Sequence, residues 1–200
     1  MKESLRKHIR RKLAGLDPAV AHAKSMAACK RLQGLPEFRQ ASVVMIYLPM
    51  PGEVDVTPLA LRGWQEQKTI TAPKLSWDLR HMLPIEIRSL EAGLVTTKGN
   101  LREPAGGEPI PVQMLDLVVC PALAFDRQGN RLGRGAGFYD RFLATPGFQG
   151  AAVGIAFREQ LVDELPVQRN DVPVHILVTD EEVLRLSRPG EAAENTEVAR

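Results

Sequence analysis

The chain has 200 residues, of which 44% are hydrophobic and 25% are charged, and its formal net charge at pH 7 is +2. This length and composition are typical of a single soluble globular domain. A charge so close to zero argues against a nucleic-acid partner, which normally requires a strongly basic face. No apolar stretch approaches the roughly 20 residues that a membrane-spanning helix needs, and the N-terminus lacks the apolar segment of a signal peptide. We therefore expect a cytoplasmic protein that binds neither nucleic acid nor membrane, and our working expectation is a monomer or a weak homo-oligomer.

Patterns typical of zinc sites and covalent nucleophiles are not found in this sequence. The two cysteines, Cys29 and Cys120, are far apart and have no CxxC spacing. Such sparse use is typical of a reducing compartment, so we expect two free thiols that are buried as small hydrophobic groups. The four histidines have no spacing that builds a metal site, and no nearby serine or cysteine indicates a triad. The sequence therefore gives no support for a zinc hydrolase or for covalent catalysis.

The first third of the chain predicts alternating helices and strands. Apolar residues spaced three and four apart indicate an amphipathic helix over the first 16 residues. Asp17 as N-cap and Pro18 at the first helical position predict a second helix, which continues from Ala19 to about Leu32. This order of elements is typical of an α/β fold. The further predicted elements are a strand buried on both faces over 42–48, a helix over 57–67 and a short strand over 68–73.

The remaining sequence has a proline-rich middle and then regains a clear pattern. Prolines interrupt the periodicity between 73 and 111, where only 81–90 indicates a strand. We predict a three-layer α/β/α single domain with a mainly parallel central sheet, formed by residues 1–186 and followed by a disordered, polar tail over 187–200. The later predicted elements are a buried strand over 115–125, a glycine-rich loop over 129–137, a helix that begins at 138, and strands over 151–157 and 175–179.

The glycine-rich loop is the segment that indicates chemistry. Its sequence from 129 to 140 is GNRLGRGAGFYD, in which three glycines alternate with Arg134 and Ala136. Glycines allow backbone amides to approach a ligand closely, and a helix that starts near Gly137 would direct free N–H groups at the same point. The other interpretation is a flexible turn between a strand and a helix. The alternating glycines, the charges of Arg131 and Arg134, and a carboxylate at Asp140 that could hold a metal together favour phosphate binding.

Two common phosphate-binding motifs are excluded by the spelling of this loop. It has no Gly-Lys-Ser/Thr, so it is not the loop of a P-loop NTPase. Its glycines follow the pattern GxGxG rather than GxGxxG, so the dinucleotide fingerprint is not present either. A different nucleotide-binding loop is required.

The segment from 121 to 143, PALAFDRQGNRLGRGAGFYDRFL, resembles the signature segment of the 5-formyltetrahydrofolate cyclo-ligase family. Three further motifs occur in the family's order, and the resemblance extends from residue 2 to about residue 180. Lys2 and Arg6, four residues apart, resemble the family's Lys-x-x-x-Arg pair. PMPGEVDVTPL resembles its substrate-binding loop, and LPVQRNDVPVHILVT resembles its C-terminal Asp loop.

The resemblance implies a role for residues in each motif. Arg134 is implied as the catalytic residue, and Asp140 and Asp171 as the ligands of Mg²⁺. Tyr139 is equally compatible with a place in the core and a place beside the nucleotide. The implied ATP-binding residues are Lys2, Arg6, Arg131, Leu132, Gly133, Arg134, Gly135, Ala136, Gly137, Phe138 and Tyr139. The implied substrate-binding residues are Leu48, Glu53, Arg134, Gly135, Ala136, Gly137 and Phe138.

The sequence departs from the family's pattern at a few positions. Ala136 stands where members commonly have Gly or Lys, and Phe138 stands where they commonly have Tyr. The segment TTKGNLREP lacks the tryptophan of the corresponding family segment. These differences concern the positioning of ligands rather than the reaction.

The reaction implied by the resemblance is the conversion of 5-formyltetrahydrofolate to 5,10-methenyltetrahydrofolate, with ATP hydrolysed to ADP and phosphate and with Mg²⁺ as cofactor. Two alternatives remain open. One is a non-catalytic paralogue that binds folate or nucleotide, although the presence of both Asp140 and Asp171 argues against it. The other is an ATP-dependent ligase or kinase that acts on another pterin-like or amide substrate.

Overall fold

The computed structural model describes residues 2–97 and 99–186. The predicted disordered tail, residues 187–200, lies outside the described residues. The helices are α1 (Lys2–Ala14), α2 (Pro18–Gln33), α3 (Pro36–Gln40), α4 (Thr57–Gln65) and α5 (Phe138–Leu143), with short 3-10 turns at Val112–Met114 and Arg158–Gln160. The strands are β1 (Val43–Met45), β2 (Thr69–Ser76), β3 (His81–Glu86), β4 (Leu94–Thr97), β5 (Leu101–Pro104), β6 (Leu117–Cys120), β7 (Ala124–Asp126), β8 (Arg131–Leu132), β9 (Ala151–Ala156), β10 (Leu161–Val162), β11 (Ile176–Thr179) and β12 (Val183–Arg185).

A seven-stranded sheet forms the centre of the fold, in the order β12-β11-β9-β6-β1-β2-β3. Its five inner strands pair in parallel, whereas β3 and β12 pair antiparallel at the two edges. Two smaller sheets accompany it, one of β10, β7 and β8 and one of β4 and β5. The predicted α/β class with a mainly parallel central sheet is confirmed.

Alternate residues of the central strands enter different hydrophobic clusters, because successive side chains of a strand point to opposite faces. Val44 belongs to the cluster that also contains buried residues of α1 to α4, whereas Val43 and Met45 belong to a second cluster. The second cluster contains Phe138 and Phe142 of α5. The two faces of the sheet are therefore both covered, one by four helices and the other mainly by the short helix that follows the glycine loop.

Two predicted local features are confirmed, the N-cap of α2 and the burial of both cysteines as free thiols. The Asp17 side chain caps α2, since its Oδ1 accepts hydrogen bonds from the amides of Ala19 at 2.9 Å and Val20 at 3.2 Å. Both cysteines are buried free thiols. Burial raises the pKa of each thiol to about 12, which keeps them protonated and unreactive near neutral pH. Among the residues that the structure describes, no helix is long and apolar enough to cross a membrane.

The prediction of one strand over 115–125 is wrong. β6 ends at Cys120 and remains in the central sheet, whereas β7 begins at Ala124 and joins the three-stranded sheet. Pro121, which has no N–H to donate, stands at the break. The strand predicted over 42–48 also shortens to three residues. The hairpin of β4 and β5 and the edge strand β12 lack the period-two hydrophobic pattern and were not predicted.

Gly129 brings the turn before β8 against the segment that precedes β11. It has φ +85°, its carbonyl accepts a hydrogen bond from the Val174 amide at 3.0 Å, and a Cβ there would lie 2.6 Å from the Val174 carbonyl oxygen. Gly93 has a similar φ of +74° but no atom within 4 Å of its Cβ position. An alanine at either position would have a strained backbone, but only an alanine at Gly129 would also collide with neighbouring atoms.

We expect Gly129→Ala to lower the free energy of unfolding by about 1 to 3 kcal/mol more than Gly93→Ala. Both variants carry the cost of a left-handed alanine, about 1 to 2 kcal/mol. Only Gly129→Ala adds overpacking against the backbone, which costs about 1 to 3 kcal/mol. Urea unfolding of both variants measures the difference, and equal losses would contradict this close approach.

Candidate active site

A cleft of about 890 Å³ opens at the carboxyl ends of β1, β2 and β6. Ligands of open α/β sheets bind at this edge, and the volume is within the range of about 300 to 1,000 Å³ typical of ligand sites. All four segments that the sequence analysis singled out contribute to its walls: α1, the loop after β1, the glycine loop and the segment before β11. Sequence-distant motifs thus meet in one place.

The glycine loop runs from β8 into α5 along this cleft. Residues 133 to 136 are exposed, and Gly137 is the N-cap of α5 in a left-handed conformation, with φ +67°. Gly135 also has positive φ, +119°. Both positions favour glycine, because other residues rarely adopt such angles. The predicted strand, glycine loop and helix are confirmed as a structural unit.

Arg131 and Asp140 form a partly buried ion pair at the base of the loop. Arg131 Nη2 lies 2.8 Å from Asp140 Oδ1, and the Arg131 side chain is 4% exposed. The amide of Val172 also donates to Asp140 Oδ1, at 3.2 Å, and Arg131 Nη1 donates to the Val172 carbonyl. A buried guanidinium requires such partners. Arg131 therefore joins α5 to the segment that carries Asp171.

Helix α1 directs two cations into the cleft. Lys2 Nζ lies 2.9 Å from Asp171 Oδ2, and Arg6 Nε donates to the carbonyl of Gly133 at 3.0 Å. The Gln168 amide donates to the same Asp171 oxygen, at 2.8 Å. Partial burial raises the pKa of Asp171, but the Lys2 ammonium and the Gln168 amide outweigh it and hold that pKa below its usual value. Asp171 is therefore ionised at neutral pH.

Glu53 and Arg134, 81 positions apart, are in direct contact. Arg134 Nε donates to Glu53 Oε1 at 3.0 Å, and Arg134 Nη2 lies 2.8 Å from the same oxygen as the closest contact of the ion pair. Glu53 Oε2 accepts from the amide of Met50 at 3.0 Å, within its own loop. The Glu53 side chain is 9% exposed and that of Arg134 is 38% exposed. The residues assigned to the folate side and to the phosphate side thus meet in one ion pair.

Tyr139 lies both against the hydrophobic core and beside the cleft, the two locations that the sequence left open. Its ring packs against the second hydrophobic cluster and also lines the cleft. Its hydroxyl is buried and has no hydrogen-bond partner among the residues that the structure describes. Burial, together with the nearby Cys120 and Glu53, raises the pKa of Tyr139 well above its usual value. The hydroxyl therefore remains protonated and available as a donor.

The sequence analysis missed the contribution of the β2–β3 hairpin. Trp77 at its tip lines the cleft and packs edge-on against Phe138, with ring centroids 5.1 Å apart. Arg141 joins the hairpin to the loop, since it donates to the carbonyls of Arg80 and Ala136. Leu48 also lines the cleft. The tryptophan was the one available signal, because an aromatic residue in a polar turn is unusual.

The comparisons with known proteins agree over nearly the whole chain. The model of the 5-formyltetrahydrofolate cyclo-ligase family matches residues 1–180. The 5-formyltetrahydrofolate cyclo-ligase of Escherichia coli strain K12 is 31% identical, over 88% of this chain and 98% of that protein. The NMR structure of Aquifex aeolicus 5,10-methenyltetrahydrofolate synthetase is 34% identical and has a TM-score of 0.81, over 98% of this chain and 97% of that one. The structure of a Mycoplasma pneumoniae 5,10-methenyltetrahydrofolate synthetase, 23% identical with a TM-score of 0.74 over 90% of this chain and 98% of that one, has a similar fold.

Proposed function

The chain belongs to the 5-formyltetrahydrofolate cyclo-ligase family, and on that premise we propose that it converts 5-formyltetrahydrofolate to 5,10-methenyltetrahydrofolate with hydrolysis of ATP to ADP and phosphate. The observation that carries the proposal is the convergence of four sequence-distant motifs on one cleft at the carboxyl edge of the sheet. The near-neutral charge supports a small-molecule enzyme that binds no nucleic acid. We propose a cytoplasmic monomer or weak homo-oligomer.

The chemical difficulty of this reaction is that the oxygen of a formamide is a poor leaving group. Transfer of the γ-phosphoryl group to the formyl oxygen breaks the bond to the bridging oxygen of ADP and gives an activated imidate phosphate. N10 then attacks the formyl carbon and loses its proton, and phosphate leaves with the former formyl oxygen. Little covalent chemistry falls to the protein, whose tasks are alignment and charge stabilisation.

The phosphate side of the cleft would be formed by the glycine loop and the cations around it. The exposed loop amides can donate to phosphate oxygens without a dedicated side chain. Arg134 is the proposed catalytic residue, since its guanidinium can neutralise charge that develops on the transferring group. Lys2 and Arg6 supply further positive charge from α1. Arg131, buried in its ion pair, would act by holding Asp140 in place.

The contacts of Asp140 and Asp171 support the proposal that these two carboxylates hold a magnesium ion. Both hydrogen bonds to the Asp140 carboxylate go to Oδ1, and both to Asp171 go to Oδ2, so among the described contacts each carboxylate keeps its other oxygen for a ligand. Mg²⁺ typically binds through one or two carboxylates together with substrate phosphates and waters. Bound there, it would neutralise charge on the phosphates of ATP.

The folate side would be formed by the loop after β1 and the aromatic residues of the opposite wall. Glu53 can accept hydrogen bonds from ring N–H groups of a reduced pterin, and Leu48 and Phe138 offer apolar contact. The Tyr139 hydroxyl, which has no partner among the described residues, supports a ligand in this cleft without distinguishing folate from ATP, because a buried donor without a partner costs about 1 to 3 kcal/mol and a bound ligand would satisfy it.

Glu53→Gln is expected to weaken folate binding by about tenfold while nucleotide binding does not weaken. Hydrogen bonds to a charged acceptor are worth about 1.5 to 3 kcal/mol, and the amide replaces that acceptor with a neutral one. Calorimetric titration of the variant with 5-formyltetrahydrofolate and, separately, with ATP measures both effects. The reverse pattern would show that the two sub-sites are assigned wrongly.

The proposed function is tested by mixing the purified protein with 5-formyltetrahydrofolate, ATP and Mg²⁺ and following the absorbance of the methenyl product. Product should form only when ATP and a divalent metal are both present, and chelation should stop the reaction. Folate binding without turnover under any nucleotide would instead favour the non-catalytic paralogue. Turnover with another amide or pterin-like compound alone would favour the alternative ligase.

A further inference from the structure

We propose that Glu53 holds Arg134 away from ATP until folate occupies the Glu53 carboxylate, so that phosphoryl transfer to water is suppressed when folate is absent. This inference rests on the proposed function, because it assumes that ATP and folate share the cleft. It makes Glu53 a positioning residue for Arg134 as well as a contact for the substrate.

Arg134 and a folate N–H would bond to the same carboxylate, that of Glu53. Arg134 Nε donates to Glu53 Oε1 at 3.0 Å, and the charged Nη2 lies 2.8 Å from the same oxygen. The other oxygen, Oε2, is already bonded to the Met50 amide. A carboxylate oxygen has about two lone-pair positions. A ring N–H that bonds to either oxygen takes up part of the negative charge of the carboxylate and so weakens the hold of Glu53 on Arg134.

The two glycine positions that flank Arg134 are open. Gly133 has no atom within 4 Å of its Cβ position, and at Gly135 only the Arg6 guanidinium approaches, at 3.9 Å. The Arg134 side chain is 38% exposed, whereas that of Glu53 is 9% exposed. Arg134 is thus the more exposed partner of the pair, and Glu53 is the more buried one.

The consequence concerns which acceptor receives the phosphoryl group. Attack by water on the γ-phosphorus breaks the bond to the bridging oxygen and yields ADP, phosphate and a proton, with no folate consumed. While Arg134 is bonded to Glu53, its charge is neutralised and is directed at a carboxylate rather than at the phosphates. If folate releases Arg134, the charge of Arg134 reaches the transferring phosphoryl group only when the formyl oxygen is present to accept that group.

The inference is tested by the rate of ADP release from Mg-ATP without folate. Glu53→Gln weakens the hold on Arg134 and should raise this rate about fivefold, equivalent to about 1 kcal/mol. Glu182→Gln, which alters an exposed ion pair with Arg127 at 3.1 Å, is the matched control and should leave it unchanged. Adding Arg134→Ala to Glu53→Gln should abolish the rise, since the released arginine causes it.

A second measurement uses the unaltered protein, so that the test does not depend on folding of a variant. Tetrahydrofolate without a formyl group should bind to Glu53 and stimulate ADP release, because it frees Arg134 but offers no formyl oxygen. Tetrahydrofolate should have little effect on Glu53→Gln. Unchanged ADP release in Glu53→Gln, or no stimulation of the wild type by bound tetrahydrofolate, would overturn the inference. Failure of the wild type to form the methenyl product would instead overturn the proposed function itself.

Discussion

Replacing Arg134 with alanine is expected to slow formation of the methenyl product by about 100- to 1,000-fold, by analogy with the loss of one donor from an oxyanion site. Arg134 lies between two glycines on an exposed loop, and its guanidinium is paired with Glu53. Its positive charge stabilises the transition state most, because negative charge develops there during phosphoryl transfer. The turnover rate should therefore fall much more than the affinity for ATP.

The comparison variant for Arg134→Ala is Arg127→Ala, which removes an exposed arginine that is paired with Glu182. It should retain nearly full activity, since exposed ion pairs contribute little. Steady-state kinetics and nucleotide titration of both variants provide the measurements. A loss of only a fewfold in Arg134→Ala would mean that the glycine loop is a structural turn.

Asp140→Asn is expected to raise the Mg²⁺ concentration needed for half-maximal activity and to lower the maximal rate by about 100- to 1,000-fold. The carboxylate has one oxygen bonded to Arg131 and Val172, which leaves the other for the metal. Asparagine keeps an acceptor for Arg131 but loses the negative charge that attracts a divalent cation. A magnesium titration of the steady-state rate measures the shift.

Stability must be followed in the same Asp140 variant, because Arg131 loses an anionic partner. Breaking a buried ion pair costs about 3 to 5 kcal/mol, and the partial exposure of Asp140 reduces that figure here. Asp171→Asn is the comparison, since it also should shift the metal midpoint but leaves the Arg131 pair intact. If Arg134→Ala shifted the midpoint while Asp140→Asn did not, the two roles would be reversed.

Local features could be predicted from the sequence where a single residue type determines the backbone conformation. Asp17 and Pro18 set the start of α2, and the glycines after β8 set the loop because they permit positive φ. The mainly parallel sheet followed from the alternation of apolar strands and helices. The continuous run over 115–125 misled the prediction, because apolar periodicity does not show that a strand changes sheets at Pro121.

The interior of the site could be predicted only in part. The family's motifs correctly indicated which segments line the cleft. Side-chain contacts between residues far apart in the sequence, however, leave no local pattern that could be recognised. The contact between Glu53 and Arg134 spans 81 positions, and the contact between Lys2 and Asp171 spans 169. Arg131 was predicted as an ATP-binding residue; it lines the cleft, while its side chain is 4% exposed and bonded to Asp140. Burial of a charged side chain depends on packing that no short window contains.

The central claim, that ATP is consumed to activate the formyl oxygen, is tested most directly by isotope transfer. The protein would be incubated with Mg-ATP and 5-formyltetrahydrofolate labelled with ¹⁸O in the formyl group, and the released phosphate would be analysed by mass spectrometry. The proposed mechanism predicts one labelled oxygen in each phosphate, in an amount equal to the methenyl product. Product formation accompanied by unlabelled phosphate would contradict it, because the phosphoryl group would then have passed to water.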